Sequence, residues 1–212
     1  MVTFWYRVFF WMCRIGLFFW HPVFHVIGRE FVPTGKVVLA ANHSGCADAV
    51  WLLLALNLPK MSRIIAKKEL RSVPVLGWIM EKLGIIFVDR AAHDGTAYHT
   101  CVQALEAGEQ MVVFVEGTRC NGNKHVRAKT GAVRMAVEAD APIVPVFITR
   151  NKTPFCPINV IFGQPYHLEK RESWSHDDYQ HASDELLRTI YKLGGDTYAD
   201  HIGENGGVLL RS

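Results

Sequence analysis

The sequence predicts an α/β fold: a largely parallel sheet flanked by helices, preceded by a helical segment that contacts a membrane. Three observations carry that expectation. Short β-branched runs alternate with helical patterns through the middle of the chain. Those runs are continuously apolar, as strands covered on both faces are. Ten of the 24 aromatic residues fall within the first 28 positions, ahead of the first acidic residue, Glu30. At 212 residues, half apolar and a fifth charged, the chain has the composition of one globular domain.

The first element is the aromatic front, residues 1–30, with the α/β domain expected over 31–212. A membrane-crossing helix needs about 20 consecutive apolar residues. Arg7 and Arg14 cut the run, His21 and His25 interrupt its second half, and Pro22 breaks a helix there. Aromatics mixed with a few cations suit a helix or helix pair lying among lipid headgroups, a monotopic contact. A single span and an aromatic core hairpin are the other two readings. No small-residue cleavage site follows a compact apolar stretch, which disfavours a signal peptide.

Strands are expected at 36–41, 61–66, 84–88, 111–115, 143–148 and 158–163, bounded by turn or charged residues. Helices are expected at 48–58, 74–83, 95–107 and 130–139, with a last amphipathic one at 184–192. This alternation has the spacing of strand–helix–strand crossovers, hence the parallel sheet.

Charge is uneven along the chain. Residues 1–162 carry 18 basic and 11 acidic side chains, and the remainder carries 5 and 9. A basic face of that kind attracts anionic lipid, an acidic protein or phosphate. Aromatics do not interleave with these cations, so nucleic acid is disfavoured as a partner. The five cysteines are odd in number and widely spaced, which argues against zinc or redox pairs and for free thiols.

Three polar clusters close apolar strands, the place where α/β folds put reactive groups. After the first strand comes Asn42-His43-Ser44-Gly45-Cys46-Ala47-Asp48. A turn can bring Asp48 to one ring nitrogen of His43, fixing the tautomer and leaving the other nitrogen to accept a proton. Alternatively, Asp48 caps the following helix and His43 packs at the strand end. Ser44 is adjacent to His43 and diverges from it, so a substrate hydroxyl would take the nucleophile's part. The second cluster is Asp89-Arg90, where Arg90 either reaches a phosphate or pairs with Asp89. The third is Glu116-Gly117-Thr118-Arg119, which supplies a tight turn, donors and a fixed charge for an anion. Lys129, just before a helix start, is a further anion contact or a solvated lysine. Convergence of the three clusters fits base-assisted acyl transfer onto a phosphate-bearing alcohol.

The ordered set NHSGCAD (42–48), GIIFVDR (84–90), FVEGTR (114–119) and IVPVFI (143–148) resembles the four blocks of the glycerolipid acyltransferase family, best known for lysophosphatidate acyltransferases. The resemblance covers residues 36–150. It implies His43 as general base with Asp48 orienting it, and Asn42 shaping the turn. Arg90, Glu116, Gly117, Thr118 and Arg119 would bind the acceptor, with Lys129 beside them. It also implies acyl-CoA or acyl carrier protein as donor, a lysophospholipid acceptor, and no metal or bound cofactor. The place of action would be the cytoplasmic face of a membrane. Val115 and Cys120 stand where the family usually has proline and serine. Alternatives within the resemblance are another acceptor (glycerol 3-phosphate, another lysophospholipid, a lyso-aminolipid), a thioester hydrolase, or a catalytically silent lipid-binding protein.

Overall fold

In the computed structural model, residues 2–57, 62–89, 95–120, 126–169, 171 and 173–195 are described. Helix α1 (Val2–Trp20) leads into β1 (Phe24–Ile27). There follow β2 (Val37–Ala41), α2 (Asp48–Leu56), β3 (Arg63–Lys67), α3 (Leu76–Lys82), β4 (Ile86–Val88) and α4 (Thr96–Glu106). The rest are β5 (Gln110–Phe114), α5 (Gly131–Glu138), β6 (Ile143–Ile148), β7 (Ile158–Phe162) and α6 (His176–Leu193). The strands form a sheet of order β1-β7-β6-β2-β5-β3-β4. Every neighbouring pair is parallel except β6–β7. The exception has a simple cause. No helix lies between β6 and β7, and a short link returns the chain alongside itself, whereas a parallel partner needs a crossover.

Strand β2 is central, and all five of its residues are buried. Successive side chains point to opposite faces. Val38 and Ala40 join Leu105, Val133 and Leu187 from α4, α5 and α6 on one face. Val37, Leu39 and Ala41 join Trp51, Leu52 and Ala55 of α2 on the other, where Phe10 and Leu17 of α1 also pack. Each fully buried aliphatic or aromatic side chain is worth about 1.5–3 kcal/mol, so two-sided burial is what stabilises β2 and aligns the turns that leave its end. Helix α2 is core, its residues Trp51–Leu56 all buried.

Two expectations need correction. Residues 24–27, read as part of a helical front over 1–30, are an edge strand paired in parallel with β7. The helix ends at Trp20, just ahead of Pro22, and residues 24–27 alternate: Phe24 and Val26 face inward, His25 and Ile27 outward. That period of two is hidden in the sequence by the aromatic density around it. Helix α6 begins at His176 instead of 184. Ser175 accepts from the Asp178 N–H, while the Asp178 carboxylate accepts from the Ser175 N–H, a capping box that starts the helix in a polar stretch.

Helix α1 carries an outward apolar stripe. Phe4, Val8, Trp11, Met12, Ile15, Phe18 and Phe19 are exposed, Trp11 to 58% and Phe19 to 73%. Their spacing places them on one side of the helix, and the exposed Arg7 and Arg14, two turns apart, border them. Trp5 meets Trp78 edge-on at 5.2 Å, joining α1 to a second exposed apolar group, Val73, Val75, Leu76 and Trp78. At the other end the Trp20 carbonyl accepts from the Phe155 N–H, and Phe155 is 70% exposed. No helix among the described residues is long and apolar enough to cross a membrane.

Candidate active site

Because β2, β3, β5 and β6 run parallel, the loops that follow them open on one edge of the sheet. Asn42 sits at the end of β2, fully buried, and its amide makes two bonds to Ile148. Its Nδ2 donates to the Ile148 carbonyl at 2.9 Å, and its Oδ1 accepts from the Ile148 N–H at 2.7 Å. The side chain thus stands in for a strand residue and locks the end of β2 to β6, where the chain turns toward α2.

His43 is held on three sides. Its N–H donates to Glu116 Oε2 at 2.6 Å, and its carbonyl accepts from the Cys120 N–H at 2.7 Å. Its ring stacks on Phe114 with centroids 4.2 Å apart. Nδ1 lies 2.9 Å from Asp48 Oδ2. An ionised carboxylate only accepts, so Nδ1 carries the proton and Nε2 is the basic nitrogen. Nε2 makes no bond to a described residue, and the side chain is 20% exposed, so a substrate hydroxyl can meet it.

Asp48 does not cap α2. The N-cap position is Ala47, and the Asp48 carboxylate turns back over residues 43–45. Oδ2 accepts from the N–H groups of Ser44 and Gly45, each at 2.7 Å, as well as from His43. Oδ1 lies 2.6 Å from the ammonium of Lys152. Burial alone would raise the pKa of this fully buried carboxyl. The bond from His43, the charge and bond of Lys152 and the Gly45 N–H outweigh it, and the net shift is downward.

The loop after β5 supplies the rest. Val115, where the family usually has proline, donates its N–H to the Ala41 carbonyl and so carries the β2 ladder one residue further. Glu116 is fully buried between His43 and α6, and its Oε1 accepts from the Tyr191 hydroxyl at 2.5 Å. Both oxygens are thus engaged by the chain, and Glu116 ties the main chain at His43 to α6. Gly117 has φ +66°, where a side chain is strained, and a Cβ there would come within 2.8 Å of the Lys129 stem, which would have to shift. Lys129 lies across this turn and is exposed, as are Thr118 and Arg119. The Arg119 guanidinium reaches Cys46 Sγ, which puts its charge beside the His43–Asp48 turn. Lys68, which follows β3, pairs with Asp89 at 3.1 Å. Arg90 lies outside the described residues.

Three residues here carry no signal in the sequence. Lys152 is more than 70 residues from Asp48, and Tyr191 is 75 residues from Glu116, and no spacing rule links either pair. Ser44, 6% exposed, accepts from Lys152 Nζ at 2.5 Å through its hydroxyl, a role that adjacency to His43 does not suggest.

Known proteins resemble this chain in sequence and in fold. The family profile described as Acyltransferase matches residues 23–149. The 1-acyl-sn-glycerol-3-phosphate acyltransferase of Saccharomyces cerevisiae is 31% identical over 145 residues, covering 66% of this chain and 47% of its own length. The lyso-ornithine lipid O-acyltransferase of Brucella abortus is 32% identical over 153 residues, covering 65% and 56%. The chain thus spans about half the length of these two relatives. The crystal structure of the 1-acyl-sn-glycerophosphate (LPA) acyltransferase, PlsC, from Thermotoga maritima superposes with a TM-score of 0.62 at 26% identity, over 81% of this chain and 72% of that one.

Proposed function

Because the chain belongs to the acyltransferase family, we infer that it moves a fatty acyl group from a thioester donor to the free hydroxyl of 1-acyl-sn-glycerol 3-phosphate, giving phosphatidate. The donor is acyl-CoA or acyl carrier protein. The observation that carries the reading is the His43–Asp48 pair, with Nδ1 tied down and Nε2 open to the site. Nε2 takes the proton of the acceptor hydroxyl as its oxygen attacks the thioester carbonyl. The C–O bond forms, the C–S bond breaks, and the imidazolium returns its proton to the departing thiolate. Asp48 stabilises the imidazolium in between.

Arg119 is the phosphate contact in this reading, because it is the exposed cation whose position beside the dyad is defined by a contact. Arg119→Ala should lower kcat/KM for lysophosphatidate about 10- to 100-fold, the loss expected for one charged hydrogen bond. The second reading, an aminolipid acceptor, is raised by the name of the Brucella abortus relative. Both are tested by offering the wild-type chain and Arg119→Ala labelled donor with lysophosphatidate, lyso-ornithine lipid and glycerol 3-phosphate. Turnover of lysophosphatidate, weakened selectively in the variant, supports the main reading. Turnover of the aminolipid alone, or equal loss on all acceptors, counts against it.

The acceptor's acyl chain lies in a bilayer, and the exposed stripe of α1 with Trp78 and Phe155 is the surface suited to enter one leaflet. Trp11→Glu with Phe19→Glu should abolish co-sedimentation with vesicles containing anionic lipid without unfolding the chain, since neither side chain is core. Unchanged sedimentation would remove α1 as the anchor. Deleting residues 1–28 is a poorer test, because it also strips β1 from the sheet.

A further inference from the structure

The loop after β6 brings a cation to the dyad. Lys152 Nζ lies 2.6 Å from Asp48 Oδ1 and also donates to Ser44 Oγ at 2.5 Å and to the Thr149 carbonyl at 2.6 Å. Asp48 is fully buried and the Lys152 side chain is 14% exposed, so little water screens the pair. The stem packs closely: a Cβ on Gly45 would come within 3.1 Å of Lys152 Cδ. The two oxygens of Asp48 therefore have separate work. Oδ2 gathers the N–H groups of His43, Ser44 and Gly45, while Oδ1 faces the ammonium.

We propose that Lys152 is a positioning residue for acyl transfer, which acts through Asp48 to keep His43 in its neutral, proton-accepting form at neutral pH. This rests on the reading of His43 as the base. A carboxylate alone on Nδ1 favours the imidazolium, and a ring that protonates too readily is no longer a base when the acceptor arrives. The ammonium on the far oxygen offsets much of the carboxylate's field at the ring. It does so without touching the Nδ1–H bond that sets the tautomer. It also helps Asp48 to stay ionised while buried.

The other charged and titratable groups near His43 come from each element packed around it. Glu116 lies under its N–H, and Tyr191 of α6 binds Glu116 from behind. Cys120 holds its carbonyl, Cys46 and Arg119 lie beside the turn, and Lys129 crosses Gly117. Asp48 is the group bonded to the ring itself, and Lys152 is the cation paired with that carboxylate, which is why this lysine is singled out.

The test is the titration of His43 by NMR in the full chain, 15N-histidine-labelled in detergent micelles, with the pH profile of kcat/KM measured alongside. The His43 signal is assigned by its loss in His43→Ala. In Lys152→Met and Lys152→Gln, the His43 titration and the acid limb of the profile should both move up by about one pH unit. Gln retains a hydrogen-bond donor, so it separates charge from bonding. Lys152→Arg keeps the charge and should stay within a few tenths of a unit of wild type. An unmoved His43 titration in the Met and Gln variants overturns the proposal, as does a loss of activity by one factor at every pH. An Arg variant shifted as far as the Gln variant overturns it too, since charge would not be the operative quantity. The NMR arm needs no substrate. Failure of the reading of His43 as base would show separately, as wild-type turnover in His43→Ala.

Discussion

Replacing His43 with alanine should lower kcat/KM for acyl transfer by about a thousandfold, the middle of the range for a positioned general base. The chain should remain folded. The main-chain bonds of residue 43 to Glu116 and Cys120 survive the change; what is lost is a partly exposed ring stacked on Phe114 and its bond to Asp48, whose carboxylate keeps the Ser44 and Gly45 N–H groups and Lys152. Asp48→Asn should also cost activity, for a different reason. The N–H groups of Ser44 and Gly45 will keep an oxygen at the Oδ2 position, so the His43 tautomer is retained. The imidazolium loses its counter-charge, and the amide N–H₂ then faces the ammonium of Lys152. Asp48→Asn should therefore lower both kcat and melting temperature, where His43→Ala lowers kcat with little effect on melting. Loss of stability in His43→Ala equal to that in Asp48→Asn would count against this division of roles.

The second large effect is expected at Glu116, and it is one of folding. Glu116→Ala takes the carboxylate acceptor away from two buried groups, the His43 N–H and the Tyr191 hydroxyl. Each such group costs about 1–3 kcal/mol, so a loss of about 4 kcal/mol and roughly 10 °C in melting temperature is expected, with activity falling as His43 shifts. Glu116→Gln keeps one acceptor for His43 and offers an N–H to the Tyr191 oxygen, and it should fold and turn over. The pH dependence follows from burial, which pushes the Glu116 pKa above its ordinary 4.5 despite the bonds from Tyr191 and His43. Between the ordinary and the raised value, the folded chain holds a proton that the unfolded chain has released. Wild-type stability therefore declines as pH rises across that window, and Glu116→Gln lacks that component. The carboxyl of Asp48 has the opposite sign: its stabilising effect is present above the ordinary aspartate pKa and is lost as pH falls through the lowered one. Thermal melts of Glu116→Gln against wild type from pH 4.5 upward check the first trend. A constant difference across the range would contradict it.

The α/β architecture and the polar turns at strand ends are legible in the chain itself, because local chemistry encodes them. A run such as Val37–Ala41 can be satisfied only by cover on two faces, and the seven residues from Asn42 to Asp48 contain both halves of the dyad within one turn. Pro22 likewise marks where the front helix must stop. Tertiary structure decided what depends on distant partners. Phe24–Ile27 became a strand because β7 presents an edge to it. The same held at the site. Glu116 meets His43 and Tyr191, which lie 73 and 75 residues away along the chain. Lys152 lies 104 residues from Asp48, and only the parallel packing of β6 against β2 brings the two loops together. Periodicity records which face of an element is buried. It carries no record of which buried charge meets which, and that pairing sets the proton affinity of the groups in the site.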